Sequence, residues 1–206
     1  MIVESAILMA NQHPWIRPGL GRLGQISRFY RAVADAIEPS PGGLVLDAGC
    51  GLGTLTPYLL PKVGPSGSIL GIDVADRMID DARSLAVRQG WHNVRFERSD
   101  FRDFSFPAEA DAVVFCLSLT AMPDPKCCLS QALSWLKPGG QLVILDCFLE
   151  RDRWLAGLAI RLWAPLFGGD PTELPLDGVT SRLDSVRLRR LFPGMHTLVW
   201  GRKRRS

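Results

Sequence analysis

The chain has 206 residues, 47% hydrophobic and 22% charged, with a formal net charge of +3 at pH 7. That length and composition suit one substantial globular domain and exclude a disordered chain. A net charge this small does not by itself imply a nucleic-acid partner.

Residues 22–38 carry Leu23, Ile26, Phe29, Val33 and Ile37 at spacings of three and four, which predicts an amphipathic helix. Glu38-Pro39-Ser40-Pro41-Gly42-Gly43 stops it. The chain then alternates. Leu44–Asp47 reads as a buried strand, Thr54–Leu60 as a helix, Pro61–Gly67 as a turn-rich connection and Ser68–Asp73 as a second strand. Asp76 is the expected cap of a helix running to Gln89, with Gly90 as its stop. Val94–Arg98 and Ala112–Cys116 read as strands, Lys126–Leu136 as a helix, Lys137-Pro138-Gly139-Gly140 as a turn and Gln141–Cys147 as a fifth strand.

Further on, Arg153–Phe167 reads as a helix apolar almost all round, broken by Pro165, and Gly168–Asp177 as a loop. Val186–Phe192 and Thr197–Gly201, separated by Pro193-Gly194, read as an antiparallel hairpin. Strands alternating with helices predict an α/β fold: a single doubly wound, mostly parallel sheet with a C-terminal antiparallel hairpin. The expected division is an N-terminal helical cap over 1–40 and one domain over 41–206.

The chemistry concentrates in Val45-Leu46-Asp47-Ala48-Gly49-Cys50-Gly51-Leu52-Gly53-Thr54. Alternate glycines at the end of a strand let backbone approach a ligand closely. The carboxylate of Asp47 would repel a pyrophosphate but suits a ligand carrying an amine. Ligands of an open parallel sheet sit beyond the carboxyl ends of its strands. Asp73 ends the second strand, placed to accept from two ribose hydroxyls. Asp100-Phe101 follows the third, where a carboxylate and the next amide suit an adenine edge. Cys116-Leu117 ends the fourth, beside the glycine loop. A dinucleotide fingerprint starting at Gly49 or Gly51 needs a third glycine where Thr54 or Thr56 stands, and no phosphate-binding Gly-Lys-Ser/Thr is present.

With those motifs in view, residues 43–148 resemble class I S-adenosylmethionine (SAM) methyltransferases. The similarity is to the ubiquinone/menaquinone-biosynthesis and bacterial phosphatidylethanolamine N-methyltransferase types. VLDAGCGLG, ILGIDVADRMIDDAR, NVRFERSDFRDFSF, DAVVFCLSL and LKPGGQLVILD carry it. The resemblance implies a Rossmann-like fold, SAM as cofactor and S-adenosylhomocysteine as product. It places Asp47, Gly49, Cys50 and Gly51 against the methionine part of SAM, with Ala48, Gly53, Cys116 and Leu117 as further cofactor-binding positions. It implies Asp73 as the ribose acid, Val74 as the residue packed on adenine, and Asp100 and Phe101 as the adenine-edge pair. After the fourth strand, Ser118–Pro125 keeps only the Asp-Pro end of the quinone enzymes' segment. Arg28-Phe29-Tyr30 stands where the lipid enzymes have a tyrosine-rich helix.

SAM's methyl is already activated by its sulfonium, so alignment does most of the work. No catalytic base is readable among His13, His92 and His196. His13 and Tyr30 are the candidate substrate contacts, with Trp154 and Trp163 from the apolar segment as a pocket wall. That segment favours an apolar acceptor: a phospholipid amine, a quinone or an aromatic metabolite. A nucleic-acid substrate is not expected, since Cys116-Leu117-Ser118-Leu119 is not Asp/Asn-Pro-Pro-Tyr/Phe and Cys116 follows Phe115 rather than proline.

Five cysteines without a Cys-x-x-Cys spacing argue against a disulfide framework or a metal site and fit a reducing cytoplasm. Neither a signal peptide nor a transmembrane run is read in the chain. Arg182, Arg187, Arg189, Arg190, Arg202, Lys203, Arg204 and Arg205 crowd the C-terminus. They read as a solvated, frayed end, or as a contact with phospholipid (a peripheral membrane contact) or nucleic acid. A SAM-binding regulatory subunit without transferase activity is the second reading.

Overall fold

The computed structural model describes residues 24–106, 109–148, 179–191 and 196–205. Helix α1 (Gly24–Ala36) comes first, then strand β1 (Leu44–Ala48), helix α2 (Thr56–Val63) and strand β2 (Ser68–Asp73). Helix α3 (Asp76–Gln89), β3 (Val94–Arg98), β4 (Ala110–Cys116), a 3-10 turn (Leu119–Ala121), α4 (Pro125–Trp135) and β5 (Leu136–Asp146) continue the alternation. A second 3-10 turn (Thr180–Arg182) leads into β6 (Leu183–Leu191) and β7 (His196–Lys203).

The seven strands form one sheet in the order β3-β2-β1-β4-β5-β7-β6. β1 to β5 are mutually parallel, while β7 runs antiparallel to both β5 and β6. This is the doubly wound sheet with a reversed C-terminal hairpin that the sequence predicts. The chain moves outward through β2 and β3 on one side of β1, then returns to place β4 on the other. The crevice between the ends of β1 and β4 is therefore the switch point where such sheets bind ligands.

β4 and β5 are continuous apolar runs because both faces of the sheet are covered. On one face Val33 of α1, Ile37 just after it, and Leu59 and Val63 of α2 pack on Val45, Val114, Val143 and Leu145. On the other, Cys128, Leu129 and Leu133 of α4 meet Leu46, Val113, Phe115 and Ile144. The C-terminal half of α1 is thus built into the core, with Ala32, Val33 and Ala36 buried. Among the described residues no helix is long and apolar enough to cross a membrane.

Several boundaries differ from those predicted. Helix α2 runs through Pro61 to Val63, because a missing proline N–H loses one bond while Leu59 and Val63 stay fully buried; Gly64, at φ +68°, ends it. Asp76 does not cap α3. The cap position is Ala75, without a side-chain bond, and the Asp76 carboxylate instead pairs with Arg98 at 2.6 Å. Residues 137–140 are no free turn but an irregularity inside β5, where the register jumps from Ala110↔Leu136 to Ala112↔Gln141. The predicted helix over Arg153–Phe167, the loop over Gly168–Asp177 and Pro193-Gly194 lie outside the described residues.

One buried polar side chain fastens α1 to the sheet. Gln141 of β5 donates from Nε2 to the Ala36 carbonyl at 2.6 Å and accepts from the Glu38 amide at 2.8 Å. Replacing it by leucine keeps the volume but leaves both backbone groups without their partner. Gln141→Leu should therefore lower the unfolding free energy by about 1–3 kcal/mol. In urea this appears as a lower midpoint at unchanged slope; an unaltered midpoint would show that the two backbone groups find other partners.

Candidate functional site

The loop after β1 is tied to the tip of β2. Gly49 and Cys50 both donate their amides to the Ile72 carbonyl, at 2.8 and 3.0 Å, and the Gly51 amide donates to Asp73 Oδ2 at 2.8 Å. The Gly53 amide turns inward to Cys50 O. These four amides are bonded within the protein, so the glycine amides themselves are not left free for a pyrophosphate.

Two glycines show why no other residue fits. At Gly49, φ is +71° and a Cβ would lie 2.5 Å from Ser118 Cβ, so this residue lets the β1 and β4 loops touch. At Gly51, φ is +52° and a Cβ would meet nothing within 4 Å. The backbone there faces open space in the crevice.

Asp47 lies beneath this loop at 1% exposure, and its Oδ2 has no hydrogen-bond partner among the described residues. Burial, then the nearby Asp73 charge, push its carboxyl up to about 7. A buried carboxyl oxygen with no partner is costly unless something completes it. A ligand ammonium would do so, and would draw the group back to its ionised form. Asp73 is half-buried, and burial raises it against the pull of the Ala75, Gly51 and Val74 amides. Its Oδ1 accepts from Ala75 N at 2.9 Å and its Oδ2 from Gly51 N, which leaves each oxygen a lone pair for a ligand hydroxyl. Val74, half-buried, lies between these anchors.

The residues after β3 are arranged differently from the simple pair expected. Both oxygens of Asp100 are taken by Arg102, Nε to Oδ1 at 3.1 Å and Nη2 to Oδ2 at 2.7 Å, and this fork holds the carboxyl below its usual range. The Phe101 ring is buried against Phe115 and Trp135, so only its backbone is left for an adenine edge. Arg102 carried no signal in the sequence.

Around β4 the structure places the expected Cys116 and Leu117 and adds Ser118, Thr120 and Asp146. Leu117 has φ +57°, a left-handed conformation that strains a branched side chain. Hydrogen bonds hold it there: its own amide to Leu145 O at 2.7 Å, and Ser118 Oγ to Ala48 O at 2.6 Å. Thr120 gives its amide and hydroxyl to buried Asp146, at 3.0 and 2.8 Å. Leu117 is nevertheless 38% exposed at the mouth of the crevice. Burial pushes the Cys50 and Cys116 thiols up, so neither is poised as a nucleophile.

Tyr30, on α1, reaches the glycine loop, its hydroxyl 2.8 Å from Thr54 Oγ1. Burial pushes that phenol up to about 12. The other aromatic candidates, His13, Trp154 and Trp163, lie outside the described residues. His92 is exposed two residues before β3, and His196 opens β7 with its ring 4.3 Å from Phe29. Among the described residues no cluster of three or more His, Cys, Asp or Glu could hold a metal.

Fold and crevice together define a doubly wound α/β domain with the acids Asp47 and Asp73 at the carboxyl ends of its adjacent strands β1 and β2. A family profile described as a methyltransferase domain matches residues 39–161, more than half of the chain. The chain belongs to that family, the class I SAM-dependent methyltransferases, and its cofactor is SAM. Nocamycin O-methyltransferase of Saccharothrix syringae is 33% identical over 119 residues, 55% of this chain and 42% of that protein. A demethylmenaquinone methyltransferase of Listeria monocytogenes serotype 4a is 30% identical over 138 residues, 64% and 58% of the two chains. The chain therefore spans about half the length of these curated relatives. A solved SAM-dependent methyltransferase from Aquifex aeolicus shares the fold, with TM-score 0.63 and 22% identity over 93% of this chain and 98% of that one.

Asp47 gives the site a pH signature. With its folded carboxyl raised to about 7, the native state keeps a proton that the unfolded chain has released. The stability it contributes is complete below about pH 4 and lost as pH climbs to about 7. Asp47→Asn removes that dependence. Without ligand, the variant should match the parent near about pH 4 and exceed it by about 1–3 kcal/mol near about pH 8. Urea titrations at the two pH values measure this, and equal curves at both would mean that Asp47 is ionised throughout.

Proposed function

We propose that this chain transfers the methyl group of SAM to a small or lipid-like apolar acceptor such as a quinone, an aromatic metabolite or a phospholipid amine. The observation that carries the cofactor half is the unpartnered buried oxygen of Asp47 beneath a loop whose glycine amides are already bonded. In this reading Asp47 holds the amine of the methionine part, with the backbone of Ala48, Gly49, Cys50, Gly51 and Gly53 shaping the space around it. Asp73 takes the ribose hydroxyls while anchoring Gly51. Val74 packs on the base and the Phe101 amide reads its edge, while Asp100 holds that turn through Arg102. Cys116 and Leu117 close the crevice on the β4 side.

The acceptor half is supported by the apolar, exposed Leu117 at the mouth and by two matched proteins whose names specify nocamycin and demethylmenaquinone. Bound SAM supplies an electrophilic methyl, so the protein's task is to align the acceptor and exclude water. Tyr30 stands beside the glycine loop as an acceptor contact. His13, Trp154 and Trp163 are proposed to complete the pocket, with residues 1–40 acting as its cap over the domain at 41–206.

Thermal-shift titration with SAM, S-adenosylhomocysteine and NAD tests the cofactor. A ligand at about 100 times its dissociation constant adds about 2.7 kcal/mol, a rise of about 5–10 °C for a domain of this size. The rise should occur with the two adenosyl ligands, not with NAD, and should shrink in Asp47→Asn. A shift with NAD alone would discard the reading. Radiolabelled methyl transfer to a reduced naphthoquinone and to phosphatidylethanolamine tests the acceptor. Binding of both adenosyl ligands without transfer to any apolar acceptor would make the chain a SAM-binding partner subunit instead.

Leu117→Gly separates the two halves. Relief of the left-handed strain should hold or raise the melting temperature, by up to about 1 kcal/mol of stability. Adenosylhomocysteine affinity should stay within about twofold while acceptor turnover falls about tenfold or more, as for loss of one apolar contact. Unchanged turnover would remove Leu117 from the acceptor site.

A further inference from the structure

Strand β6 forms one outer edge of the sheet, and every residue from Asp184 to Arg190 is exposed. A strand in a globular domain ordinarily buries at least one face, so a run open on both is unusual. Leu188 is 53% exposed and Val186 37%. Leu188 alternates with Arg187 and Arg189, which point to the opposite face of the strand, and the paired strand β7 carries Arg202, itself paired with Glu38 at 3.0 Å, and Lys203 before Arg204 and Arg205. Between residues 183 and 205 there are seven lysines and arginines against one acid, Asp184, which is itself paired with Arg204 at 3.1 Å. Since the whole chain carries only +3, the remainder of the molecule is net negative. Positive charge and exposed aliphatic surface coincide on this one edge.

We propose that the outer edge of β6 docks edge-on onto an anionic phospholipid surface, with Val186 and Leu188 entering the interfacial layer while Arg187 and Arg189, on the other side of the strand from Leu188, meet lipid phosphates. Three alternatives fit the edge less well. Edge arginines protect a strand from pairing with another chain, but that role does not account for two large aliphatic side chains left in water beside them. A second copy of the chain pairing edge to edge would set arginine against arginine, which is destabilising. A nucleic acid would use the arginines on its phosphates, yet it offers no apolar layer for Val186 and Leu188. A bilayer with acidic headgroups uses both parts of the surface.

The orientation is also suitable. Thr197 of β7 pairs with Asp146 at the end of β5, so the Leu191–His196 end of the hairpin lies at the same end of the sheet as the crevice. Four strand spacings separate β6 from β1, about 15–20 Å. An enzyme seated on this edge would hold its crevice mouth within reach of the bilayer surface. The docking stands apart from the acceptor proposed above, because it is read without catalysis.

Co-sedimentation with vesicles tests it. Phosphatidylcholine vesicles containing about 30% phosphatidylglycerol should pellet the full chain at about 50 mM salt and release it at about 500 mM, where screening shortens the reach of surface charge. Pure phosphatidylcholine should leave it in the supernatant. Arg187→Glu with Arg189→Glu should lower partitioning at least about twentyfold, since each basic residue near such a surface is worth about fivefold. Leu188→Ser should lower it severalfold at unchanged charge, and unchanged melting temperatures would show that the variants are folded. The proposal is overturned if the parent stays in the supernatant with acidic vesicles, if the charge reversals leave pelleting intact, or if duplex DNA competes the protein off vesicles at equal phosphate concentration.

Discussion

The site depends on the tie between the tip of β2 and the loop that follows β1. Ile72 O receives two amides and Asp73 a third, so the glycine loop is held by its neighbouring strand before any ligand arrives. The same carboxylate faces the crevice, and through Ala75 N it also orders the start of α3. One side chain thereby joins β2, the loop and a helix. Its location at the end of a strand buried in parallel pairing makes the arrangement rigid.

Because those amides are bonded internally, the electrostatic character of the crevice comes from carboxyl groups. Asp47 and Asp73 lie close enough for one charge to raise the other's proton affinity, and burial adds to it. Such a crevice favours a cation and disfavours pyrophosphate, as a SAM site must when compared with a dinucleotide site on a similar sheet. The neighbouring thiols respond in the same direction, protonated by burial and by the nearby acids. The site is therefore built for holding and orienting, consistent with chemistry in which the leaving group is already activated.

On the opposite wall the constraint is steric. Gly49 permits the Ser118 side chain to approach, Ser118 fastens the β4 loop to Ala48, and Asp146 fixes Thr120 from β5. Leu117 is held in its left-handed conformation within this frame, with an apolar side chain presented to the crevice. Glycine would satisfy that backbone at lower strain, so the leucine side chain is best understood by what it meets there.

The sequence by itself determined the sheet, its parallel core and reversed hairpin, because period, turn residues and alternating elements are local signals. It also placed Asp47, Asp73 and the glycines at strand ends, since a strand's end and its next loop are adjacent in the chain. Helix limits at Pro61 and Asp76 were misjudged where burial of Leu59 and Val63, or a pairing with Arg98, outweighed local preference. Only the tertiary structure decided which amides remain for a ligand, that Arg102 occupies Asp100, and that Ser118 touches Gly49. These are contacts between segments up to about seventy residues apart, set by strand order. The distribution of charge is divided in the same way: the basic residues were legible in the letters, whereas their coincidence with exposed Leu188 and Val186 follows from β6 being an edge.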